Sequence, residues 1–446
     1  MQTDNKKAVW GWAMYDWANS AFATTVMAGF FPIFFKQYWS HGVDVNVSTA
    51  QLGFGNSIAG LIVALMAPIL GAIADKGSCR KKFLIFFTYL GVLMTASLFL
   101  VQKGQWAGAI FIYAAGIIGF SGSIVFYDAL LPTVSGDSDI DYISGLGYAM
   151  GYLGGGILFL FNVLMTLMPH RFGLSDAGQA VRISFLSVAL WWGLFSIYTF
   201  VWVHEDEEKN EATASGTGRA VRNGLSEVIG TLRKIRHLKT VFLFLLAYWC
   251  YIDGVDTVIR MAVDYGLSIG FESNDLIVAL LMVQFIGFPA ALGFGKLGQL
   301  WDVKKAIFLA IGVYGLVTIW AMMMTHKHEF YILAGVIGLV QGGIQALSRS
   351  FYSRLIPTGR AAEFYGFYNM LGKFAVIIGP ALMGAVGLIV KRVMMPPAPT
   401  PDQIQTIGAL ASRMSIASLL LLFIAGAVLL YFVDEEKGKE EIRFFK

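Results

Sequence analysis

The sequence predicts an all-α integral membrane protein of twelve transmembrane helices in two six-helix bundles. Of its 446 residues, 57% are hydrophobic and only 14% charged, whereas a water-soluble domain is about a quarter charged. About twelve apolar runs are long enough to cross a hydrocarbon core of about 30 Å, which takes about 20 residues as a helix. These runs, rich in Phe, Leu, Ile and Gly, are too long for barrel strands, which need only about 9–11 residues of alternating pattern.

The predicted spans follow the apolar runs in order. The first, 8–36, carries Asp16 and Asn19 near its start, and the second, 51–74, leads into the basic loop "DKGSCRKKF". The third and fourth, 82–102 and 107–131, end at "FYDALLP". The fifth, 142–168, holds Gly147, Gly151 and Gly155, and the sixth is 181–203. The seventh, 240–263, carries several acids. The eighth and ninth, 274–297 and 306–325, flank a second basic stretch, "WDVKKAI". The tenth, 329–352, holds Gln341, Gln345 and a Gly338/Gly342 pair; the eleventh and twelfth are 362–390 and 410–433. Glycines one turn apart let helix backbones approach closely, so the fifth and tenth spans read as packing faces. Trp10, Trp12, Trp17, Trp191 and Trp192 lie near span ends and are expected to be interfacial anchors.

No cleavable leader is expected, because "MQTDNKK" runs into an apolar stretch too long for a signal h-region. Most Lys and Arg fall in the tails and even-numbered loops when both termini are placed in the cytoplasm, the orientation that positive charge favours. The domains read as residues 1–203 and 240–446, joined by a cytoplasmic linker, 204–239. In that linker Leu225, Val228, Ile229, Leu232, Ile235 and Leu238 recur at helical spacing opposite Arg233, Lys234 and Arg236, the pattern of an amphipathic surface helix. Cys79 and Cys250 differ in setting and are expected to be free thiols.

The two halves repeat one another. Ungapped, "GAIADKGSCRKKF" sits on "GKLGQLWDVKKAI", matching Gly71 with Gly295 and Arg80, Lys81 with Lys304, Lys305; "FYDALLP" then matches "FYSRLIP", and "SGLGYAMG" matches "YGFYNMLG". Six spans per half in the same orientation form the parallel repeat of a two-bundle transporter with a central site.

These residues also carry a family resemblance. "GAIADKGSCRKK", with Gly71, Asp75, Arg80 and Lys81, resembles the signature loop between the second and third helices of the major facilitator superfamily, with one extra residue before the basic pair. "YDWANSAFATTV", "SGLGYAMGYLGGG" and "DGVDTVIRMA" resemble the vacuolar amino-acid effluxer-like, autophagy-related branch of that superfamily and its bacterial relatives. The resemblance covers nearly the whole chain. It implies a 6+6 helix fold working by alternating access on small solutes, including amino acids, with Asp75 capping a helix N-terminus across the two bundles, where the dipole favours an anion. In the second copy Gln299 stands in place of Asp75, which confines that role to the first half.

A charge near the bilayer centre costs at least about 2.5–3.5 kcal/mol, so an intramembrane acid must face the bundle interior with a partner or a task. Asp16, Asn19, Ser20, Ala23 and Met27 share one helical face, expected to line the central cavity. On the seventh span Asp253, Asp256, Thr257, Arg260 and Asp264 follow one stripe, and Asp256 and Arg260 are spaced to pair. Burial disfavours the charged carboxylate, so Asp253 and Asp16 are the candidate proton carriers. Tyr365, Tyr368, Asn369, Gly372 and Lys373 share a face of the eleventh span. A zwitterion would place its carboxylate near Lys373 or Arg260 and its ammonium near an acid, with Gln341, Gln345 and Asn369 orienting it; alternatively Lys373 neutralises a facing acid. Gly71, Asp75, Arg80, Lys81, Asp128 and Arg354, at cytoplasmic span ends, are candidate conformational latches.

The six histidines are scattered, and there is no phosphate-binding glycine loop. Neither an enzyme, a resident metal or cofactor, nor direct ATP coupling is expected. The expected partners are a small-molecule substrate, a proton or other ion, and the lipid bilayer; no nucleic acid is expected, and the chain is read as a monomer of a bacterial inner membrane. The alternatives are efflux of lipophilic or cationic drugs, and a non-transporting receptor or scaffold on the same fold.

Overall fold

In lipid every backbone N–H and C=O must be satisfied within the chain, and helices do this segment by segment. The computed structural model describes residues 3–43, 45–205, 238–268, 273–324, 326–397 and 400–443. Among them are twelve helices long and apolar enough to span a membrane: α1 (Lys6–Trp39), α2 (Gln51–Lys76), α3 (Arg80–Leu100), α4 (Trp106–Ala129), α5 (Ile140–Leu167), α6 (Ala177–Trp202), α7 (Lys239–Ile259), α8 (Asp275–Leu300), α9 (Val303–Met323), α10 (His328–Arg354), α11 (Thr358–Met394) and α12 (Pro401–Tyr431). A short polar helix, α13 (Glu435–Arg443), follows. Nearly all of the amphipathic stretch expected at 225–238 lies outside the described residues.

The largest displacement of a boundary is at α12, which starts at Pro401 rather than near 410. Its start is set by a capping box, not by hydropathy: Thr400 Oγ1 accepts from Gln403 N at 3.3 Å and Gln403 Oε1 accepts from Thr400 N at 3.0 Å. Within α1 the backbone switches to π-helical turns over Phe22–Phe30 and again over Phe35–Trp39, directly beyond the Asp16 to Ser20 stripe. Such turns are rare and concentrate at functional sites.

The chain forms two compact units, Met1–Lys234 with Ile356–Met370, and Ile235–Leu355 with Leu371–Lys446. The first turns of α11 thus cluster with the N-terminal half, although the repeat assigns all of 240–446 to the second. The reason is local: at Gly366 an added Cβ would lie 2.6 Å from Pro68 Cα of α2. Within the units the same helix pairs recur. α1 packs on α6, α2 on α4, α3 on α4 and α3 on α6; correspondingly α7 packs on α12, α8 on α10, α9 on α10 and α9 on α12.

The repeat also recurs in its caps, in a register one residue away from the ungapped alignment. Lys81 Nζ donates to Val203 O at 2.9 Å, tying the start of α3 to the end of α6. Lys304 Nζ donates to Tyr431 O at 2.8 Å and Val433 O at 2.6 Å, tying α9 to the end of α12. Lys81 therefore corresponds to Lys304, not Lys305. The extra residue in the first loop absorbs the shift.

The glycine face of α5 packs on α1. A Cβ added at Gly151 would lie 2.5 Å from Ser20 Oγ, and one at Gly147 would lie 2.7 Å from Asp16 Oδ2 and 2.8 Å from the Trp12 ring. Gly151→Leu must force these helices apart, and overpacking of this kind costs about 1–3 kcal/mol or more. The variant is expected to melt at a lower temperature than wild type and to lose its monodisperse peak on size-exclusion chromatography in detergent; an unchanged melting curve would contradict this packing.

The tryptophans correct one expectation. Trp10 is half exposed, but Trp12 and Trp192 are fully buried. Trp12 stacks on Tyr127 with centroids 4.5 Å apart and donates Nε1 to Tyr127 O at 3.0 Å; Trp192 packs against Phe22 and Phe120. They are core residues of the first unit, because the indole ring fills the space left by glycines such as Gly91 on α3.

Candidate functional site

In the first unit, α1 brings Asp16 to Tyr127 of α4, whose hydroxyl donates to Asp16 Oδ2 at 2.8 Å. Asp16, Ser20, Ala23 and Met27 are partly exposed along α1, whereas Asn19 is only 2% exposed and its Nδ2 is buried without a hydrogen-bond partner. Asn19 therefore lies in the packed interior rather than on the open stripe. Next to this group, the Tyr15 hydroxyl and Thr88 Oγ1 are 2.7 Å apart, so the inner part of α1 is lined by polar side chains from α3 and α4.

In the second unit α7 carries Asp253, 1% exposed. Its Oδ1 accepts from Gly379 N of α11 at 2.9 Å and from Thr257 Oγ1 at 3.2 Å, while Oδ2 is buried without a partner. The close approach depends on Gly379, where an added Cβ would overlap Thr257 Oγ1 and come within 2.7 Å of Asp253 Oδ1. Pro380 follows at once and removes one rung of the helical ladder. A buried carboxylate held by one oxygen, with the other open, can accept a proton or a cationic group without breaking its attachment to α11.

The other predicted residues are dispersed. Asp256 is partly exposed one turn beyond Asp253, while the side chain of Arg260, and with it the expected Asp256–Arg260 pair, lies outside the described residues. On α11, Tyr365 and Tyr368 are buried, and Asn369 and Lys373 are partly exposed. Asn369 Nδ2 donates to Asp128 Oδ2 at 3.2 Å and to Tyr365 O at 3.0 Å. A predicted substrate residue and a predicted latch residue thus meet. Gln341 lines a cavity inside the second unit; Gln345, one turn on, is not among its lining residues.

Gly71, Asp75 and Arg80, three of the candidate latch residues, meet in one connected group in the first unit. Asp75 Oδ1 accepts from Arg80 Nε at 2.6 Å and from Ala362 N at 3.1 Å, and Oδ2 accepts from Glu363 N at 2.7 Å. Arg80 also donates to Thr358 O at 3.0 Å. The carboxylate therefore caps the N-terminus of α11, where free N–H groups and the helix dipole favour an anion. Gly71 makes this possible: its Cβ position is filled by the Ala362 carbonyl. Arg354 is placed differently from the others, paired with Glu435 of α13 at 3.4 Å.

Sequence reasoning missed Tyr127, Gly379 and Glu435, and named Thr257 without a role. Thr257 was on the polar stripe, and Glu435 could have been found from the repeat, because "VHEDEEK" after α6 matches "VDEEK" after α12. Among the described residues no group of three or more His, Cys, Asp or Glu could hold a metal ion.

Cys79 gives a probe of the loop between α2 and α3. It precedes α3, where Glu205 accepts from the N–H groups of Arg80 and Lys81 at 2.9 and 3.3 Å. Burial, with the Glu205 carboxylate nearby, pushes the Cys79 thiol above its ordinary range. Maleimides react with the thiolate, so in a Cys250→Ser background the labelling rate should climb only above the pH at which an ordinary thiol reacts, and an impermeant maleimide should label from the cytoplasmic side alone. Labelling from the outside would reverse the topology.

Twelve spanning helices in two halves built on the same helix pairs are the architecture of a major facilitator transporter. The chain aligns with the human organic anion transporter MFSD10 (TETRAN) at a TM-score of 0.67 and 13% identity, over 96% of this chain and 100% of that one. It aligns equally well with the proton:xylose symporter XylE, at a TM-score of 0.67 and 14% identity, over 99% and 98%. At these identities the likeness shows the fold. The chain belongs to the family described as Vacuole effluxer Atg22 like, which matches residues 4–389. It is 36% identical to the uncharacterized MFS-type transporter YxiO of Bacillus subtilis (strain 168), over 96% of this chain and 95% of that protein. The protein is therefore a secondary transporter, integral to a membrane, and not an enzyme.

Proposed function

We propose that this transporter moves a small polar solute, zwitterionic or anionic, by alternating access, and that protons drive it through Asp16 and Asp253. The observation that carries this reading is the Asp253 site: a buried carboxylate with one oxygen fixed to the Gly379 N–H and the other unpartnered. Intramembrane carboxylates are rare and mark ion or substrate pathways, and here the first helix of each half carries at least one, Asp16 on α1 and Asp253 with Asp256 on α7. Arg260 and Lys373 supply the positive charge for a substrate carboxylate, with Asp256, Gln345 and Asn369 as orienting groups. The structural neighbours, an organic anion transporter and a proton symporter, are in keeping with this chemistry.

In this mechanism 1–203 and 240–446 are the moving halves, 204–239 is the cytoplasmic linker, and the Gly71, Asp75 and Arg80 group on the first turn of α11, with the Asp128–Asn369 contact, is the latch that parts in each cycle. Lys81 braces the start of α3 within the first unit, and Arg354 the end of α10 within the second. We place the protein as a monomer in a bacterial inner (plasma) membrane with both termini cytoplasmic; the relationship to a Bacillus protein is in keeping with a bacterial membrane.

The test is uptake of radiolabelled amino acids and small organic anions into proteoliposomes, with and without an inward pH gradient, for wild type and Asp16→Asn. Saturable, gradient-dependent uptake of one class that the substitution abolishes is expected. Movement of a lipophilic cation but no polar solute would remove the proposal.

A further inference from the structure

The second unit contains a cavity of about 150 Å³ between its own helices, separate from the Asp253 carboxylate. Its lining comes from α7 to α12 and is mostly core: Thr318 is 1% exposed, Leu419 2%, Val317 3% and Leu333 4%. Most of the lining is therefore buried, while Val258, Ile259 and Gln341 are partly exposed. A mainly apolar space of this size has room for a benzene-sized molecule, as engineered cavities of about 150 Å³ do.

The lining also selects the ligand. Among the described residues its lining contains no acid or base, and an unpaired charge placed there would be strongly penalised, so the ligand is neutral. Its polar members are Gln284 of α8, Gln341 of α10 and Thr318 of α9. Thr318 already donates its hydroxyl to Tyr314 O at 2.8 Å, which leaves the two amides as the groups able to orient a ligand. We infer that this cavity is a binding site for a neutral lipophile of one ring bearing a single hydrogen-bonding group, of the phenol class.

The site touches the transport machinery. Val258 and Ile259 line it from α7, shortly after Asp253, and Met383 lines it from α11, one turn after Gly379. An occupant contacts both helices that the Asp253–Gly379 hydrogen bond joins.

The test uses the full-length protein purified in detergent, with 4-fluorophenol and fluorobenzene as probes followed by fluorine NMR. Wild type should bind both saturably, with the phenol preferred by about three- to tenfold, the worth of one net hydrogen bond. Gln284→Leu should keep fluorobenzene binding and lose that preference. Ala334→Leu, which fills the cavity from α10, should abolish saturable binding of both probes while raising the melting temperature; Ala279→Leu on α8 does the same from the other wall and serves if Ala334→Leu fails to fold. Saturable binding unchanged in a folded cavity-filling variant, or its absence in wild type, would overturn the assignment. Neither readout depends on transport, so the result stands apart from the proton-coupling proposal.

Discussion

A valine at position 71 should leave the protein folded and stop transport. The Cβ of any residue there overlaps the Ala362 carbonyl oxygen and comes within 2.6 Å of Ala362 C and 2.9 Å of Glu363 Cα. These are backbone atoms, which cannot rotate away as a side chain would, so the first turn of α11 must lift off α2. Asp75 then loses the Ala362 and Glu363 N–H groups that it caps. Loss of a helix N-cap costs about 0.5–2 kcal/mol, and 2 kcal/mol shifts a two-state equilibrium about 30-fold. The conformation with α11 docked on α2 becomes a minor state and the cycle stalls. Asp75→Asn keeps an acceptor but gives up the ion pair to Arg80, so its defect should be smaller in the same direction. Solute counterflow in proteoliposomes and thermal melting in detergent together measure this; wild-type counterflow by Gly71→Val would refute the latch.

The second large effect is expected at Asp253, where two substitutions separate two roles. Asp253→Leu leaves the Gly379 N–H and the Thr257 hydroxyl buried without their acceptor, at about 1–3 kcal/mol each, so this variant should melt early. Asp253→Asn keeps a carbonyl oxygen for both donors and removes the titrating group. It should fold like wild type and still exchange solute across a membrane without a gradient. Gradient-driven accumulation should fall about 5–150-fold, the range of a site-to-site coupling free energy. Full accumulation by Asp253→Asn would make the buried carboxylate a structural device.

The twelve spans were legible in the sequence because hydropathy over about 20 residues is set by the bilayer itself. The halves were legible because the loop after the second helix and the "FYxxLxP" segments recur. What hydropathy could not supply was the position of a helix start fixed by hydrogen bonds, as at Thr400, or the repeat register, which the Lys81 and Lys304 caps set and the ungapped alignment missed by one residue. Single-helix spacing placed Asn19 beside Asp16, yet packing takes Asn19 into the core. The Asp253–Gly379 contact was equally hidden, since nothing in either helix's pattern says which backbone N–H a carboxylate meets 126 residues away. Trp12 and Trp192 show the same limit: proximity to a span end suggests an anchor, while the glycines that make room for the ring lie elsewhere in the chain.

The central claim is that solute movement carries protons through Asp253. It is tested most directly by loading proteoliposomes with a pH-sensitive dye, imposing no gradient, and adding solute to wild type and to Asp253→Asn. Wild type should show solute-induced proton movement in fixed ratio to the solute taken up, and Asp253→Asn should take up solute by exchange with no pH change. Proton movement of equal size in both proteins, or in neither, would contradict the account.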